Sequence, residues 1–135
     1  MAELFVLALL GHLTGDYLLQ SKAMALGKSQ KGNRGAGWCA FHVALYTAAV
    51  ALFWQRYDLV TLALVFVPHY FMDRYSLGSY WLKLIRGRTF ESAYSSTAIY
   101  REFDIAFTCL VYAVVDNTFH LLSLLAVIKF WLIRS

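Results

Sequence analysis

Histidine and aspartate recur in this chain at a spacing of four residues. Three such pairs occur: His12 with Asp16, His69 with Asp73, and Asp116 with His120. Residues four apart lie on one face of an α-helix, so each pair would present an imidazole and a carboxylate together. Such groups bind Zn²⁺ and similar ions, and imidazole also accepts and releases protons near neutral pH. The pattern therefore indicates a polar site built from several helices.

The first pair belongs to a longer polar stripe. Gln20 follows Asp16 by a further four residues, and Gly11 and Gly15 repeat this spacing on the adjacent face. Small residues at this spacing let helices in a membrane approach each other closely. We therefore expect a neighbouring helix to pack beside His12 and Asp16.

The composition predicts an integral membrane protein. Of the 135 residues, 60% are hydrophobic and 15% are charged, whereas soluble domains carry about 25% charged residues. A chain of this length forms one domain and still exposes much of its surface, so its apolar residues cannot all be hidden in a core. An unusually apolar soluble helical domain is the alternative.

Four apolar runs suggest membrane-spanning helices, which need about 20 residues. They cover residues 3–20, 38–54, 59–72 and 105–133. Residues 21–37 are basic and glycine-rich, and predict a connecting loop at the lipid headgroups. Residues 74–103 mix basic and aromatic side chains, which is typical of a segment lying on the membrane surface, and residues 92–97 predict a polar linker. The predicted fold is all-α: a single domain, residues 1–135, forming an integral membrane bundle of four transmembrane helices, with the surface-lying segment between spans three and four.

Basic residues are distributed unevenly between the two sides of this bundle. The side with the 21–37 loop and the 74–103 segment carries nine: Lys22, Lys28, Lys31, Arg34, Arg74, Lys83, Arg86, Arg88 and Arg101. The opposite side carries Arg56, Lys129 and Arg134. Cytoplasmic loops hold the excess of lysine and arginine, so both termini should lie on the non-cytoplasmic side of the membrane. Basic residues among aromatics also occur in nucleic-acid-binding proteins, but beside membrane spans they indicate the lipid bilayer as partner and no nucleic acid.

The polar residues of the four runs are expected to converge. His42 and Tyr46, one turn apart, lie near the start of the second run, on the same side as Asp16, and the third run ends there at Asp73. An unpaired charge inside a membrane costs several kcal/mol, so such residues are functional candidates. A single pair could instead be an interhelical hydrogen bond, worth about 0.6 kcal/mol on average. The number of titratable groups favours a functional pocket near the cytoplasmic face.

The first polar stripe resembles the opening signature of a known family. The segment Gly11-His12-Leu13-Thr14-Gly15-Asp16-Tyr17-Leu18-Leu19-Gln20, followed by Lys22, is similar to the start of the small bacterial and phage membrane proteins called domain of unknown function family 3307. His42, the His69–Asp73 pair and the Asp116–His120 pair fall where that family has similar residues. The resemblance implies a four-span protein of the bacterial inner membrane with a site at these positions, and it does not imply a particular reaction.

The sequence leaves three functions open, and the first is transport. Carboxylate, amide, imidazole and phenol groups suit a small polar solute, such as a nucleobase-like metabolite. The substrate-binding residues would be His12, Asp16, Gln20, His42 and Tyr46. The proton-coupling or supporting residues would be His69, Asp73, Asp116 and His120. Four spans are few for a transport path, so this function implies a homodimer.

The second function is that of an intramembrane metal-dependent hydrolase. A divalent metal such as Zn²⁺ would activate water for attack on a lipid or a phosphoester. Its candidate ligands are His12, Asp16, His69, Asp73, Asp116 and His120. The third function is that of a non-catalytic membrane assembly protein, whose polar residues serve folding alone. The sequence therefore does not decide whether the protein is an enzyme or whether it needs a cofactor.

Overall fold

The computed structural model describes residues 1–97 and 99–134, and within them the chain is helical with no β-strand. Seven α-helices and two π-helical segments follow one another in the described residues. They are α1 (Ala2–Leu13), a π-helical segment (Thr14–Leu18), α2 (Lys22–Lys28), α3 (Gly32–Trp54), α4 (Leu59–Arg74), α5 (Leu77–Arg86), α6 (Phe90–Ser95), α7 (Arg101–Val127) and a second π-helical segment (Ile128–Leu132). The all-α prediction is confirmed.

Two or three of the helices are long and apolar enough to span a membrane, where the sequence predicted four spans. Helix α3, with 23 residues, and the 32-residue stretch Arg101–Leu132 are long and apolar enough to span a membrane. A third span results if the first helix and α2, which are bent by 92° at the break between them, count as one broken span. Helix α4 has only 16 residues. At 1.5 Å per residue it extends about 24 Å, which is less than the roughly 30 Å of a hydrocarbon core. The four-span count is therefore not confirmed.

The basic segment at residues 21–37 is helical, which corrects the predicted loop. The Ser21 hydroxyl accepts a hydrogen bond from the Met24 amide at 3.3 Å and begins α2, and α3 begins at Gly32. The glycines of this segment suggested a loop, but Gly27 lies within α2, where it allows α3 to approach closely. A Cβ atom at Gly27 would lie 2.5 Å from the Trp38 ring. Gly27 therefore reflects a contact between helices, whereas Gly32, at the start of α3, has a φ of +77°, which favours glycine.

One compact unit of the fold comprises residues 1–75 and 120–135. The predicted glycine seam packs against α3 in this unit. A Cβ atom at Gly11 would lie 2.8 Å from the Val50 Cα, and one at Gly15 would lie 2.9 Å from the Tyr46 Cα. The expectation that Gly11 and Gly15 admit a neighbouring helix is thus confirmed, and the neighbour is α3.

An apolar core and two indole hydrogen bonds hold the helices of this unit together. The core consists of Ala8, Tyr46, Val50, Trp54, Val65, Leu124, Val127, Ile128 and Leu132. The Trp54 indole N–H donates to the Leu4 carbonyl at 3.0 Å, and the Trp131 indole N–H donates to the Thr61 hydroxyl at 2.9 Å. At the start of α4, the Asp58 carboxylate accepts a hydrogen bond from the Thr61 amide at 2.9 Å, which lowers the pKa of Asp58.

Residues 76–119 form a second unit. In α5 the buried side is formed by Gly78 and Leu82, while the exposed side carries Tyr80, Leu84 and Ile85. Helix α6 occupies much of the predicted linker 92–97, which corrects that prediction. Thr89 and Ser92 form a reciprocal capping box that starts this helix.

We predict that Gly15→Ala destabilises the protein. The added methyl group would collide with the Tyr46 backbone, and overpacking of this kind costs about 1–3 kcal/mol. The matched control is Gly37→Ala in α3, because a Cβ atom there meets no other atom within 4 Å. Thermal denaturation of the detergent-solubilised protein should show a lower Tm for Gly15→Ala and an unchanged or higher Tm for Gly37→Ala. Equal effects of the two substitutions would contradict the close approach of α1 and α3.

Candidate functional site

All four histidines of the chain lie together in the first unit. They come from four different helices: His12 from α1, His42 from α3, His69 from α4 and His120 from α7. Each has at most 2% of its surface exposed. Asp16 and Asp73 lie among them, and we call these six residues the His/Asp cluster. The sequence pairs His12–Asp16 and His69–Asp73 thus meet in one buried site.

Asp16 contacts three of the histidines. Its Oδ2 atom is 3.2 Å from the His12 Nδ1 atom, while its Oδ1 atom is 3.2 Å from the His42 Nε2 atom and 3.7 Å from the His69 Nε2 atom. The residue lies in the π-helical segment Thr14–Leu18, where the Leu19 amide donates to the Thr14 carbonyl at 3.0 Å. This wider turn is rare and often marks functional sites.

Asp73, at the end of α4, has four cationic or imidazole neighbours. Its Oδ2 atom is 3.3 Å from the His42 Nε2 atom and 3.4 Å from the His69 Nε2 atom, and its Oδ1 atom is 3.6 Å from the His120 Nε2 atom. The Lys28 ammonium group donates to the same Oδ2 atom at 2.8 Å. The Asp73 side chain is only 3% exposed, so these contacts replace the water that a carboxylate would otherwise bind.

Tyr46 closes the cluster on the α3 side. Its hydroxyl group lies 3.2 Å from the His12 Nδ1 atom, and its ring centroid lies 3.7 Å from that of His69. Tyr46 also faces Gly15 across the seam between α1 and α3. The glycine seam therefore brings Tyr46 to the two histidines.

Gln20 and Asp116, which the sequence assigned to the same site, have different surroundings. Gln20 follows the π-helical segment and lies in the break before α2. The four-residue helical spacing that would align Gln20 with Asp16 therefore does not extend to it. Its side-chain nitrogen is buried and has no hydrogen-bond partner in the described part of the chain. Asp116 belongs to the second unit, where a Cβ atom at Gly78 would lie 3.1 Å from its Oδ1 atom.

Lys28 is the cluster contact that sequence reasoning missed. The sequence placed it among lysines facing lipid headgroups, although it pairs with a residue 45 positions away. The sequence did offer one signal for this contact, which is the need to balance the charges of Asp16 and Asp73. Two buried carboxylates need cationic partners, and Lys28 is one of the basic residues that the sequence puts on the same side as Asp16 and Asp73.

The cluster contains two overlapping triads that could hold a metal ion. Asp16, His42 and His69 form one, and His69, Asp73 and His120 form the other. Within each triad the potential ligand atoms lie within 4.8 Å of one another. Imidazole nitrogens and carboxylate oxygens are ligands for Zn²⁺. The two carboxylates carry the charge that a divalent cation would neutralise, so the donor set fits such an ion.

We predict that His69→Gln removes metal binding, because His69 is the only residue common to both triads. The matched control is His12→Gln, since His12 belongs to neither triad. Elemental analysis of purified protein dialysed against buffered Zn²⁺ should find stoichiometric metal in the wild type and in His12→Gln. The affinity of His69→Gln should fall by more than the roughly 10–100-fold that follows loss of a residue supporting a ligand. Equal metal content in the two variants would contradict the assignment of the triads.

Comparison with known proteins agrees with the resemblance carried by the residues Gly11 to Gln20. No curated protein and no solved structure matches the chain. The family described as "Protein of unknown function (DUF3307)" matches residues 4–135. The match covers nearly the whole chain, so it includes every residue of the His/Asp cluster and Lys28. This protein therefore belongs to the DUF3307 family.

Proposed function

We propose that this protein is a membrane-embedded hydrolase that binds a divalent metal ion, such as Zn²⁺, in the His/Asp cluster and acts on a phosphoester at the membrane surface. The observation that carries the proposal is the convergence of four buried histidines from four helices on two aspartates, whose side chains are 16% (Asp16) and 3% (Asp73) exposed. Charges inside a membrane cost free energy, so a cluster of ionisable residues there is a candidate functional site. Hydrogen bonding between helices alone would not need six titratable side chains at one point.

The spacing within the cluster suits an ion better than a flat organic solute. The Nε2 atoms of His42 and His69 are 3.4 Å apart, and both lie within 3.4 Å of the Asp73 Oδ2 atom. A flat, nucleobase-like solute between these groups would need a distance of this size on each of its two faces, so the present separation leaves no room for it. A metal ion needs bonds of only about 2.0–2.2 Å to each ligand. The geometry therefore favours the metal over the metabolite as the primary ligand of these residues.

His12 is suited to accepting a proton beside the metal. A divalent ion bound in the cluster would lower the pKa of a bound water to about 7. His12 is in neither triad, yet its Nδ1 atom contacts both Asp16 and the Tyr46 hydroxyl group. In the proposed reaction, His12 is the proton acceptor, while Asp16 and Tyr46 orient its ring.

The bend in the first helix supports a second candidate, transport of a small polar solute. The helix breaks after Leu18 and turns by 92° into α2, close to Asp16. Broken helices of this kind form the binding sites of many transporters. Gln20, with its buried unpaired nitrogen, lies in this break and would contact such a solute. The homodimer expected from the sequence belongs to this candidate.

We predict that the purified protein hydrolyses a phosphoester only when it carries the metal. The assay compares Zn²⁺-loaded and chelator-treated protein on p-nitrophenyl phosphate, bis(p-nitrophenyl) phosphate and phospholipid vesicles. His69→Gln should lack both metal and activity. His12→Gln should keep the metal, and its kcat should fall by a factor of about 10²–10⁴, which is the usual contribution of a general base.

Two results would count against this function. A Zn²⁺-loaded protein that hydrolyses none of these substrates would exclude hydrolysis of the classes tested. Accumulation of a polar solute in proteoliposomes, abolished by Asp16→Asn, would then favour the transporter. Activity that survives full removal of the metal would also reject the metal-dependent mechanism.

A further inference from the structure

We propose that Lys28 is a substrate-binding residue, whose ammonium group leaves Asp73 when the cluster binds its metal and then binds a terminal phosphate group of the substrate. The inference rests on the proposed function and specifies its substrate as a phosphate monoester. It is carried by the position of Lys28, whose function neither the sequence pattern nor the family match assigns.

The Lys28 ammonium group occupies the place where a cation would bind. Its Nζ atom is 2.8 Å from the Asp73 Oδ2 atom, which also faces His42 and His69. A metal ion held by His69 and Asp73 would put two positive charges against one carboxylate oxygen. Like charges at this separation repel strongly in a low-dielectric environment. The ammonium group must then move away from Asp73, or an anion must lie between it and the metal.

The surrounding helices keep the Lys28 backbone at the edge of the cluster. Helix α2 packs on α3 through the contact of Gly27 with Trp38, and Met24 is buried beneath it. The Lys28 side chain is 19% exposed, whereas its partner Asp73 is 3% exposed. The ammonium group therefore lies between the buried ligands and the outside. A substrate that enters from this side meets Lys28 before it meets the metal.

Arg74 adds a second positive charge at the same edge. Its guanidinium group donates to the Gln30 carbonyl at 3.0 Å and to the Gly32 carbonyl at 3.4 Å. These bonds connect the end of α4 with the turn between α2 and α3, directly after Lys28. Arg74 follows Asp73 in sequence, so the edge of the cluster next to this carboxylate is cationic. An anionic substrate group is favoured there over a neutral one.

A phosphate group meets both requirements of this arrangement. One of its oxygen atoms can bind the metal while another accepts a hydrogen bond from the Lys28 ammonium group. Lysine commonly binds phosphate as a compact point charge with several donors. A phosphate group with two charges also offsets the positive charge that the metal adds. The same chemistry is offered by a phosphatidic acid headgroup and by a soluble phosphate monoester.

The experiment measures binding of inorganic phosphate to the full-length, Zn²⁺-loaded protein in detergent by calorimetry. We expect Lys28→Gln to weaken phosphate binding about tenfold or more while zinc stoichiometry stays the same, because one charge-assisted hydrogen bond is lost. Lys28→Arg should bind phosphate nearly as well as the wild type. Lys22→Gln is the matched control, because Lys22 lies exposed on the same helix and its substitution removes the same charge.

A second arm distinguishes the two sources of phosphate. Wild-type protein is placed in nanodiscs of phosphatidylcholine with or without phosphatidic acid, and phosphate binding is measured again. Competition by phosphatidic acid that disappears in Lys28→Gln identifies a lipid substrate. Unchanged phosphate binding in the presence of phosphatidic acid identifies a soluble monoester. Both results support the inference, provided that Lys28→Gln weakens phosphate binding.

Failure of the inference differs from failure of the proposed function. Equal phosphate affinity of Lys28→Gln and the wild type, with zinc bound to both, would overturn the role of Lys28 and leave the metal site intact. Phosphate that does not bind to the zinc-loaded wild type would do the same. A lower Tm for Lys28→Gln with unchanged phosphate affinity would reduce Lys28 to a structural ion pair. Absence of zinc binding by the wild type would overturn both proposals.

Discussion

The first unit of the fold is arranged around the need to neutralise two carboxylates away from water. Asp16 and Asp73 lie within hydrogen-bonding or ion-pairing distance of imidazoles from α1, α3, α4 and α7. A buried charge that loses its partner costs several kcal/mol. This requirement fixes the relative positions of α1, α3 and α4 and of residues 120–132. It also explains why all the histidines of the chain are in one place.

The close packing of α1 against α3 makes this arrangement possible. Only glycine at positions 11 and 15 allows the two backbones to come within the observed distance. The approach brings His12 and Tyr46 into contact and orients Asp16 towards His42. The π-helical turn directly after α1 widens the helix at Asp16 and is followed by the bend that starts α2. The same short segment thus supplies Asp16 to the cluster and leads the chain towards Lys28.

Much of the cluster could be read from the sequence, because helical periodicity is a local property. The pairs His12–Asp16 and His69–Asp73, as well as the glycine seam, depend only on four-residue spacing. The contact of Lys28 with Asp73 is a tertiary one, which no local pattern encodes. Glycines in residues 21–37 suggested a flexible loop, since composition does not show whether a missing side chain serves a turn or a close contact. The extent of α4 depends on where its caps fall, and the apolar run alone did not show that this helix has only 16 residues.

The residues that contact Asp73 come from distant parts of the chain, which has a consequence for synthesis. His120 lies late in the sequence, so it reaches Asp73 only after the preceding helices have been made. The chain emerges from its N-terminus, so Lys28 and His42 are present before Asp73 appears. Three of the residues that contact Asp73, namely Lys28, His42 and His69, are therefore made before it, and one, His120, is made after it. Partners for the Asp73 carboxylate are thus already in the chain when this residue is added, before the helix that carries His120 exists.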